Sequence, residues 1–406
     1  MKTMMTLSKI PTKQSLILRR DSGRTVGQYS ADGEQRTNDM QRATPDSSVK
    51  LALMLVALLL ALPAFRTQAQ PASDPAGFYR INCLSNSDTI VSIPFSRPAA
   101  ANVVVDSVTG NEVTVKGAPG WTPNQFVYSS TAEPVPQTNT YYLRFLSGAK
   151  EGSYLPVTAN GEDTLTLSLG GDDLSSVADG DQAAVIPYWT LATAFMGGKG
   201  AVASSSVLNP RTEVLIPDLS GVGINLSPTI SYVFLTNAAN LSGVWRQVGE
   251  GTVNKNDAVL LPDVYFIVRH NTTNGTVFSA QGSVPVSKLV IPMLTQTSTK
   301  QDNFVAVARP ATMTLDESGL FQSGAFLASS SGLNPTDVLL VFDNQVAAKN
   351  KAPVETYYYL NTWRRVGSGT TNMNNQAVFV PGTGVIIRKN STIDGFSSFW
   401  INSPNF

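Results

Sequence analysis

One stretch of this 406-residue chain occurs twice and decides the predicted fold. The first copy starts at Trp245 and reads W-R-Q-V-G-E-G-T, followed by A-V-L-L-P and then I-V-R-H-N-T. The second copy starts at Trp363 and reads W-R-R-V-G-S-G-T, followed by A-V-F-V-P and then I-I-R-K-N-S. The two tryptophans are 118 residues apart, and Pro262 and Pro381 are 119 residues apart. This nearly constant spacing over three segments predicts one strand-rich module present in two copies.

Two further pairs of segments set the extent of each copy. D-T-I-V-S-I-P-F-S-R-P at 88–98 resembles D-N-F-V-A-V-A-R-P at 302–310, with the final prolines 212 residues apart. A-S-S-S at 203–206 matches A-S-S-S at 328–331, only 125 residues apart. The difference between these spacings, 87 residues, is the length of segment 101–187. The sequence therefore predicts that a separate module, 101–187, is inserted into the first copy.

The inserted segment has its own pattern of six or seven short strands with hairpin turns, which favours a small closed barrel without exposed edges. No segment after the leader keeps a helical period over 12 residues. The predicted fold is all-β, with two duplicated β-sandwich-like modules and a small β-barrel inserted into the first. The predicted domains are the leader at 1–69, the first module at 70–100 plus 188–285, the barrel at 101–187, a linker at 286–301, and the second module at 302–406. Within the linker, 289–294 has an alternative interpretation as a strand.

An apolar run near the N-terminus has the features of a secretory signal peptide. Residues 51–65 read L-A-L-M-L-V-A-L-L-L-A-L-P-A-F, which is 15 residues and shorter than the roughly 20 that cross a bilayer. Lys50 precedes the run, and Thr67-Gln68-Ala69 follows with small residues at the recognition positions. Residues 1–49 are polar, so Met40 is an alternative start to Met1. The mature chain is predicted to be exported, with no transmembrane segment, to the periplasm, the outer surface or the extracellular space.

Composition narrows the class of partner. Charged residues are 14% of the chain, and residues 71–406 carry a net charge of −5, which gives no electrostatic reason to expect nucleic-acid binding. The single cysteine, Cys83, cannot form an intrachain disulfide. Hydrophobic residues are 42% of the chain, so burial of a core is the expected source of stability.

The sequence offers little catalytic or metal-binding chemistry. His270 is the only histidine, and Lys389 takes its place in the second copy, so we predict no catalytic residues and no cofactor. One histidine also cannot form a histidine metal cluster. An acidic run leaves calcium binding open, although its spacing does not fit the known loop. Its members are Asp172, Asp173, Asp179 and Asp181.

The repeated W-R pairs are the candidate binding residues. Trp245 with Arg246, and Trp363 with Arg364, are residue types that stack on sugars or on a protein partner. The alternative interpretation places both tryptophans in the module cores, with the arginines at the rim.

A resemblance to a known family covers nearly all of the mature chain. It rests on Y-Y-L-R-F-L-S-G-A-K-E-G at 141–152, on Gly180-Asp181, and on I-P-Y-W-T at 186–190. The chain resembles a family of uncharacterised exported β-rich bacterial proteins of unknown function. The resemblance implies bacterial export and supplies no site residues.

The predicted function is a secreted or cell-envelope structural or binding protein without catalytic activity. Linked copies of a module support this prediction, because weak sites gain apparent affinity when they are joined. One alternative is a carbohydrate-binding or carbohydrate-cleaving extracellular protein, and another is an outer-membrane β-barrel. The partners expected are polysaccharides or other envelope proteins, while the oligomeric state stays open.

Overall fold

In a computed structural model, the described part of the chain is 75–131, 136–237, 240–395 and 397–404. The predicted leader at 1–69, including Met1 and Met40, lies outside these residues. The described chain is almost entirely β, as predicted, and its one α-helix, α1, is a single turn at Leu191–Ala194. None of the helices in the described residues is long and apolar enough to cross a bilayer.

The strands fall into three groups along the chain. The first module opens with two strands, β1 (Ala76–Cys83) and β2 (Asp88–Val91). Six strands of the inserted segment follow: β3 (Ala101–Thr109), β4 (Glu112–Val115), β5 (Tyr141–Phe145), β6 (Tyr154–Asn160), β7 (Thr164–Leu167) and β8 (Gln182–Pro187). The chain then returns to the first module in β9 (Trp189–Thr190), β10 (Thr212–Ile216), β11 (Ile230–Asn237), β12 (Asn240–Gln247), β13 (Val259–Leu260), β14 (Phe266–His270) and β15 (Thr276–Ser283).

The second module contains nine strands. They are β16 (Leu289–Met293), β17 (Gln301–Ala306), β18 (Met313–Thr314), β19 (Val338–Val341), β20 (Glu355–Leu360), β21 (Thr362–Arg365), β22 (Ala377–Phe379), β23 (Gly384–Lys389) and β24 (Ser398–Asn402). Segment 286–301, predicted as a linker, therefore contains β16, which pairs with β24. It is a strand because Leu289, Ile291 and Met293 alternate into the core of the second module.

The inserted segment forms a closed barrel, as predicted, in the order β3-β4-β7-β6-β5-β8. Alternate side chains such as Val113 and Leu165 fill its interior and are 0% exposed. Strand β5 is buried at every position. Its inward residues, including Leu143, belong to the barrel core, while Tyr142 on its outer face packs with Tyr188.

The two modules have corresponding strands in corresponding positions. The five-stranded sheet of the first module has the order β12-β11-β10-β14-β2, and that of the second has β21-β20-β19-β23-β17. Each module adds two strand pairs, β1 with β15 and β9 with β13 in the first, and β16 with β24 and β18 with β22 in the second. The strands that occupy the same place in the two sheets also follow the same order along the chain. The edge strands β2 and β17 each donate hydrogen bonds to the other module, β2 from the Ile90 N–H to Asn344 and β17 from the Asp302 N–H to Gly223.

Candidate functional site

The predicted binding residues lie in and around the module cores. Trp245 and Trp363 are 1% and 0% exposed, and each packs against aromatic neighbours, including Phe195 in the first module and Phe326 in the second. A buried indole has no free face on which a sugar can stack, so these rings do not form the binding platform considered from the sequence. Their place agrees with the core interpretation.

The backbone at each tryptophan is also occupied. Asn256 Oδ1 accepts the Trp245 backbone N–H at 2.9 Å, and Asn374 Oδ1 accepts that of Trp363 at the same distance. The Lys255 N–H donates to the Trp245 carbonyl at 2.9 Å. These loops therefore cover edge strands β12 and β21 at the positions where another strand would pair.

Arg246 and Arg364 are half-buried neighbours of these tryptophans. Because successive side chains of a strand point to opposite faces, each arginine lies on the face opposite its tryptophan. Arg246 Nη1 and Arg364 Nε are buried and have no hydrogen-bond partner among the described residues. Neither arginine lines the cleft between the modules described below.

The acidic run of the barrel is engaged in local contacts. Asp172 pairs with Lys150 at 2.5 Å, and Asp179 pairs with Lys116 at 2.5 Å. Asp173 accepts the Ser175 N–H at 2.8 Å, and Asp181 accepts the Ala178 N–H at 2.9 Å. Among the described residues, no group of three or more His, Cys, Asp or Glu side chains is arranged to hold a metal ion.

His270 is enclosed by hydroxyl groups. Its Nδ1 lies 2.7 Å from Thr212 Oγ1 and its Nε2 lies 2.9 Å from Thr276 Oγ1. Thr276 donates its hydroxyl hydrogen to the Gly200 carbonyl at 2.7 Å, so its oxygen accepts a hydrogen bond from the Nε2–H of His270 and fixes the neutral tautomer protonated at Nε2. Burial lowers the pKa of His270 to about 4. A neutral, 0% exposed ring serves here as a structural element.

The residues that join the modules form two matching clusters. In one, Asp88 on β2 accepts two hydrogen bonds from Arg269 on β14, each 2.7 Å long. Asn350 of the second module donates its backbone N–H to Asp88 Oδ2 at 2.7 Å and accepts from Arg269 Nη2 at 2.6 Å. A carboxylate, a guanidinium and a loop asparagine from the other module thus bind one another.

The second cluster repeats the first with the modules exchanged. Asp302 on β17 accepts from Arg388 Nε at 2.7 Å and from Nη2 at 3.0 Å. Asn225 of the first module donates its N–H to Asp302 at 2.7 Å and accepts from Arg388 Nη2 at 2.8 Å. We call these two clusters the reciprocal clamp. Each module presents both halves of the contact, as the subunits of a two-fold symmetric dimer do.

Backbone contacts extend the clamp on both sides. The Asp88 N–H donates to the Ala348 carbonyl at 2.9 Å, and the Asp302 N–H donates to the Gly223 carbonyl at 2.9 Å. The loop asparagines adopt left-handed backbone conformations, with φ of 56° at Asn225 and 50° at Asn350. Asparagine is among the few residues other than glycine that adopt this conformation readily, so the backbone conformation of each loop favours asparagine at this position.

A cleft of ≈ 330 Å³ lies between the modules, and we call the parts lined by Arg269 with Asn350 and by Arg388 with Asn225 its two ends. The apolar part of its lining includes Tyr265, Ile267 and Ile386. Several lining residues correspond between the modules, as Ile267 does to Ile386 and Arg269 does to Arg388. The volume and the mixture of apolar walls with a few fixed polar groups are typical of small-molecule sites.

The clamp carboxylates were not identified from the sequence, although the strands that contain them were. When the two segments are aligned at their final prolines, which are 212 residues apart, Asp88 is matched with Lys300. In the structure Asp88 corresponds to Asp302, 214 residues away, because each pairs with the clamp arginine. The first module has two more residues between this strand and its proline. The sequence signal that could have identified this pair is the aspartate at the start of both strands.

The chain matches no protein-family model, and comparison with curated proteins and with solved structures returned no similar protein.

Proposed function

We propose that this chain is an exported, non-enzymatic structural or binding protein of the cell envelope or exterior. The observation that carries the binding role is the cleft between the modules. Its polar groups are held in place by the reciprocal clamp before any ligand arrives. Pre-organised groups lose little entropy on binding, which favours recognition by a fixed surface.

Support for a role without catalysis comes from how the titratable groups are used. His270 is enclosed by Thr212 and Thr276, and the clamp aspartates are committed to arginines. General acid–base catalysis needs a group that reaches a substrate proton within hydrogen-bond distance. In the described residues these groups bind neighbouring protein atoms instead.

Export is supported by the leader, and one experiment tests it. Cells that produce the chain from Met1 or from Met40 would be fractionated, and the mature N-terminus would be sequenced. We expect the protein in the envelope or medium, with Gln70 as its first residue after cleavage behind Ala69. A cytoplasmic protein with an intact leader would overturn the proposed location.

The structural or binding role needs a separate test on the mature protein. Pull-downs with isolated envelope polysaccharide and with envelope proteins should retain the chain. Release by a carbonate wash would identify a peripheral attachment. Cleavage of polysaccharide during the incubation would contradict the non-enzymatic role, and failure to bind any envelope component would contradict the binding role.

A further inference from the structure

Comparison of the two modules shows one position at which the lining of the cleft differs in charge. Asn225 and Asn350 correspond, as do Pro228 and Pro353, and both pairs are 125 residues apart. Between them, the first module has Leu226 where the second has a lysine, Lys351, and both line the cleft. Since the clamp residues are the same in both modules, this exchange of an apolar side chain for a cation makes the charge at one end of the cleft differ from that at the other.

The cationic end contains more than the lysine. Lys351 follows Asn350, which contacts both Asp88 and Arg269, so these groups lie together. Arg269 uses Nε and Nη2 in the clamp, and its Nη1 donates to no described residue. The lysine donates one hydrogen to the Val346 carbonyl, which leaves two of its three donors.

The charge of the lining favours an anion. Among the residues that line the cleft, Arg269, Lys351 and Arg388 are cations and Asp88 is the one carboxylate. Asp302 lies behind Arg388 and is 3% exposed. Asp343 and Asp88 both act on Lys351 electrostatically, and of the two only Asp88 lines the cleft. Each clamp arginine is paired with a clamp aspartate, so the two ends differ by Lys351, and the end with Leu226 is not expected to bind a second anionic group.

We propose that the cleft binds a small amphiphile with one anionic group, placed against Lys351 and Arg269, and a linear apolar chain that extends between Ile267 and Ile386 toward Leu226. This inference rests on the proposed binding role and names the ligand class. At about 30 Å³ for each non-hydrogen atom, the cleft holds roughly eleven such atoms. An alkyl carboxylate of about eight carbons has this size.

The test is a calorimetric titration of the mature protein with octanoate and with 1-octanol at low salt. We expect octanoate to bind about tenfold more tightly than 1-octanol, because only octanoate carries the charge. Lys351→Leu, which introduces the residue of the first module, should lower the affinity for octanoate about tenfold and leave that for 1-octanol unchanged. Ile386→Trp, which puts a larger side chain into the apolar lining, should weaken binding of both.

Lys349→Leu is the matched control, because it removes an exposed lysine two residues away that bonds Asn271 and does not line the cleft. It should change the octanoate affinity less than twofold. Circular dichroism and thermal unfolding would verify that each variant is folded. Equal affinity for the two probes, or an unchanged octanoate affinity in Lys351→Leu, would overturn the anionic end. If neither probe binds, the ligand class is wrong, whereas the envelope pull-down decides the broader role independently.

Discussion

The two modules enclose different chemistry at the same place. In the first, Thr212 and His270 form a neutral pair, and in the second Asp337 and Lys389 form an ion pair that is 0% and 3% exposed. The surrounding backbone contacts correspond. The Val202 N–H donates to Thr212 at 2.8 Å, and the N–H of Leu327, the corresponding residue, donates to Asp337 at 2.8 Å.

The comparison shows that the two buried pairs occupy the same position in the backbone, whereas their side chains determine whether the pair is neutral or charged. The Lys389 ammonium donates to the Ala325 carbonyl at 2.6 Å, whereas the corresponding Gly200 carbonyl accepts from Thr276. One long cation therefore replaces an imidazole and a hydroxyl. Ser398, which corresponds to Thr276 in strand pairing, has a buried hydroxyl without a partner among the described residues.

The largest expected effect comes from breaking the ion pair. Lys389→Met should lower the free energy of unfolding by about 3–5 kcal/mol, because it leaves the Asp337 carboxylate buried without its cation. Urea unfolding at neutral pH measures the loss. Lys349→Met, which removes an exposed lysine, should change the free energy by less than about 0.5 kcal/mol.

The pair can also be exchanged for that of the first module. Asp337→Thr combined with Lys389→His should recover at least half of the loss in Lys389→Met. The Ser398 hydroxyl is then available to accept from the imidazole, as Thr276 does. A double variant no more stable than Lys389→Met would show that the two sites are not interchangeable.

A smaller effect is expected where the modules meet most closely. Tyr265 and Gly384 are corresponding residues, 119 apart, and they touch each other across the interface. A Cβ atom on Gly384 would lie 2.3 Å from Tyr265 Cδ1, so only one of the two positions can carry a side chain. Gly384→Ala should cost about 2–3 kcal/mol of unfolding free energy through overpacking.

The control for this variant removes the ring that causes the clash. In Tyr265→Gly the Gly384→Ala substitution should cost less than about 1 kcal/mol, because the space above Gly384 is then open. Double-mutant analysis of urea unfolding measures the coupling. Equal costs in the two backgrounds would contradict the proposed contact.

Acid should destabilise the first module through its histidine. The folded-state pKa of His270 is lowered to about 4 by burial, below the 6.5 of an exposed imidazole. Between these values the unfolded chain binds a proton that the folded chain does not. The contribution of His270 to the free energy of unfolding is therefore fully present above pH 6.5, decreases as the pH falls, and levels off below about pH 4. The loss from pH 7 to pH 5 should be about 2 kcal/mol.

Urea unfolding at several pH values tests this prediction. The control is a variant that carries the corresponding residues of the second module. Thr212→Asp combined with His270→Lys installs the pair of the second module and removes the imidazole. Its stability should change less than that of the wild type between pH 7 and pH 5. If the wild type and the double variant lose stability equally, groups other than His270 cause the acid sensitivity.

Sequence reasoning identified the class of fold and the barrel but not the clamp. Strand patterns are local, so alternation and turns at 101–187 were sufficient to predict a closed barrel. Contacts between modules depend on which edge strands face each other, and no local pattern encodes that. Asp88 and Asp302 therefore became visible as a pair only when their strands were aligned by their arginine partners. The repeated tryptophans were the strongest sequence signal, and they proved to mark the cores.

The smallest expected effect tests whether the two halves of the clamp are equivalent. Asn225→Ala and Asn350→Ala each remove a side-chain acceptor for an arginine and place alanine at a positive φ, so each should cost about 1–2 kcal/mol. Glycine keeps the left-handed conformation while losing the same acceptor, so Asn225→Gly and Asn350→Gly should cost about half as much. Paired urea unfolding of the four variants separates backbone strain from the lost hydrogen bond. Equal costs at the two positions support a clamp shared evenly between the modules, whereas a large difference would show that one module supplies most of the contact.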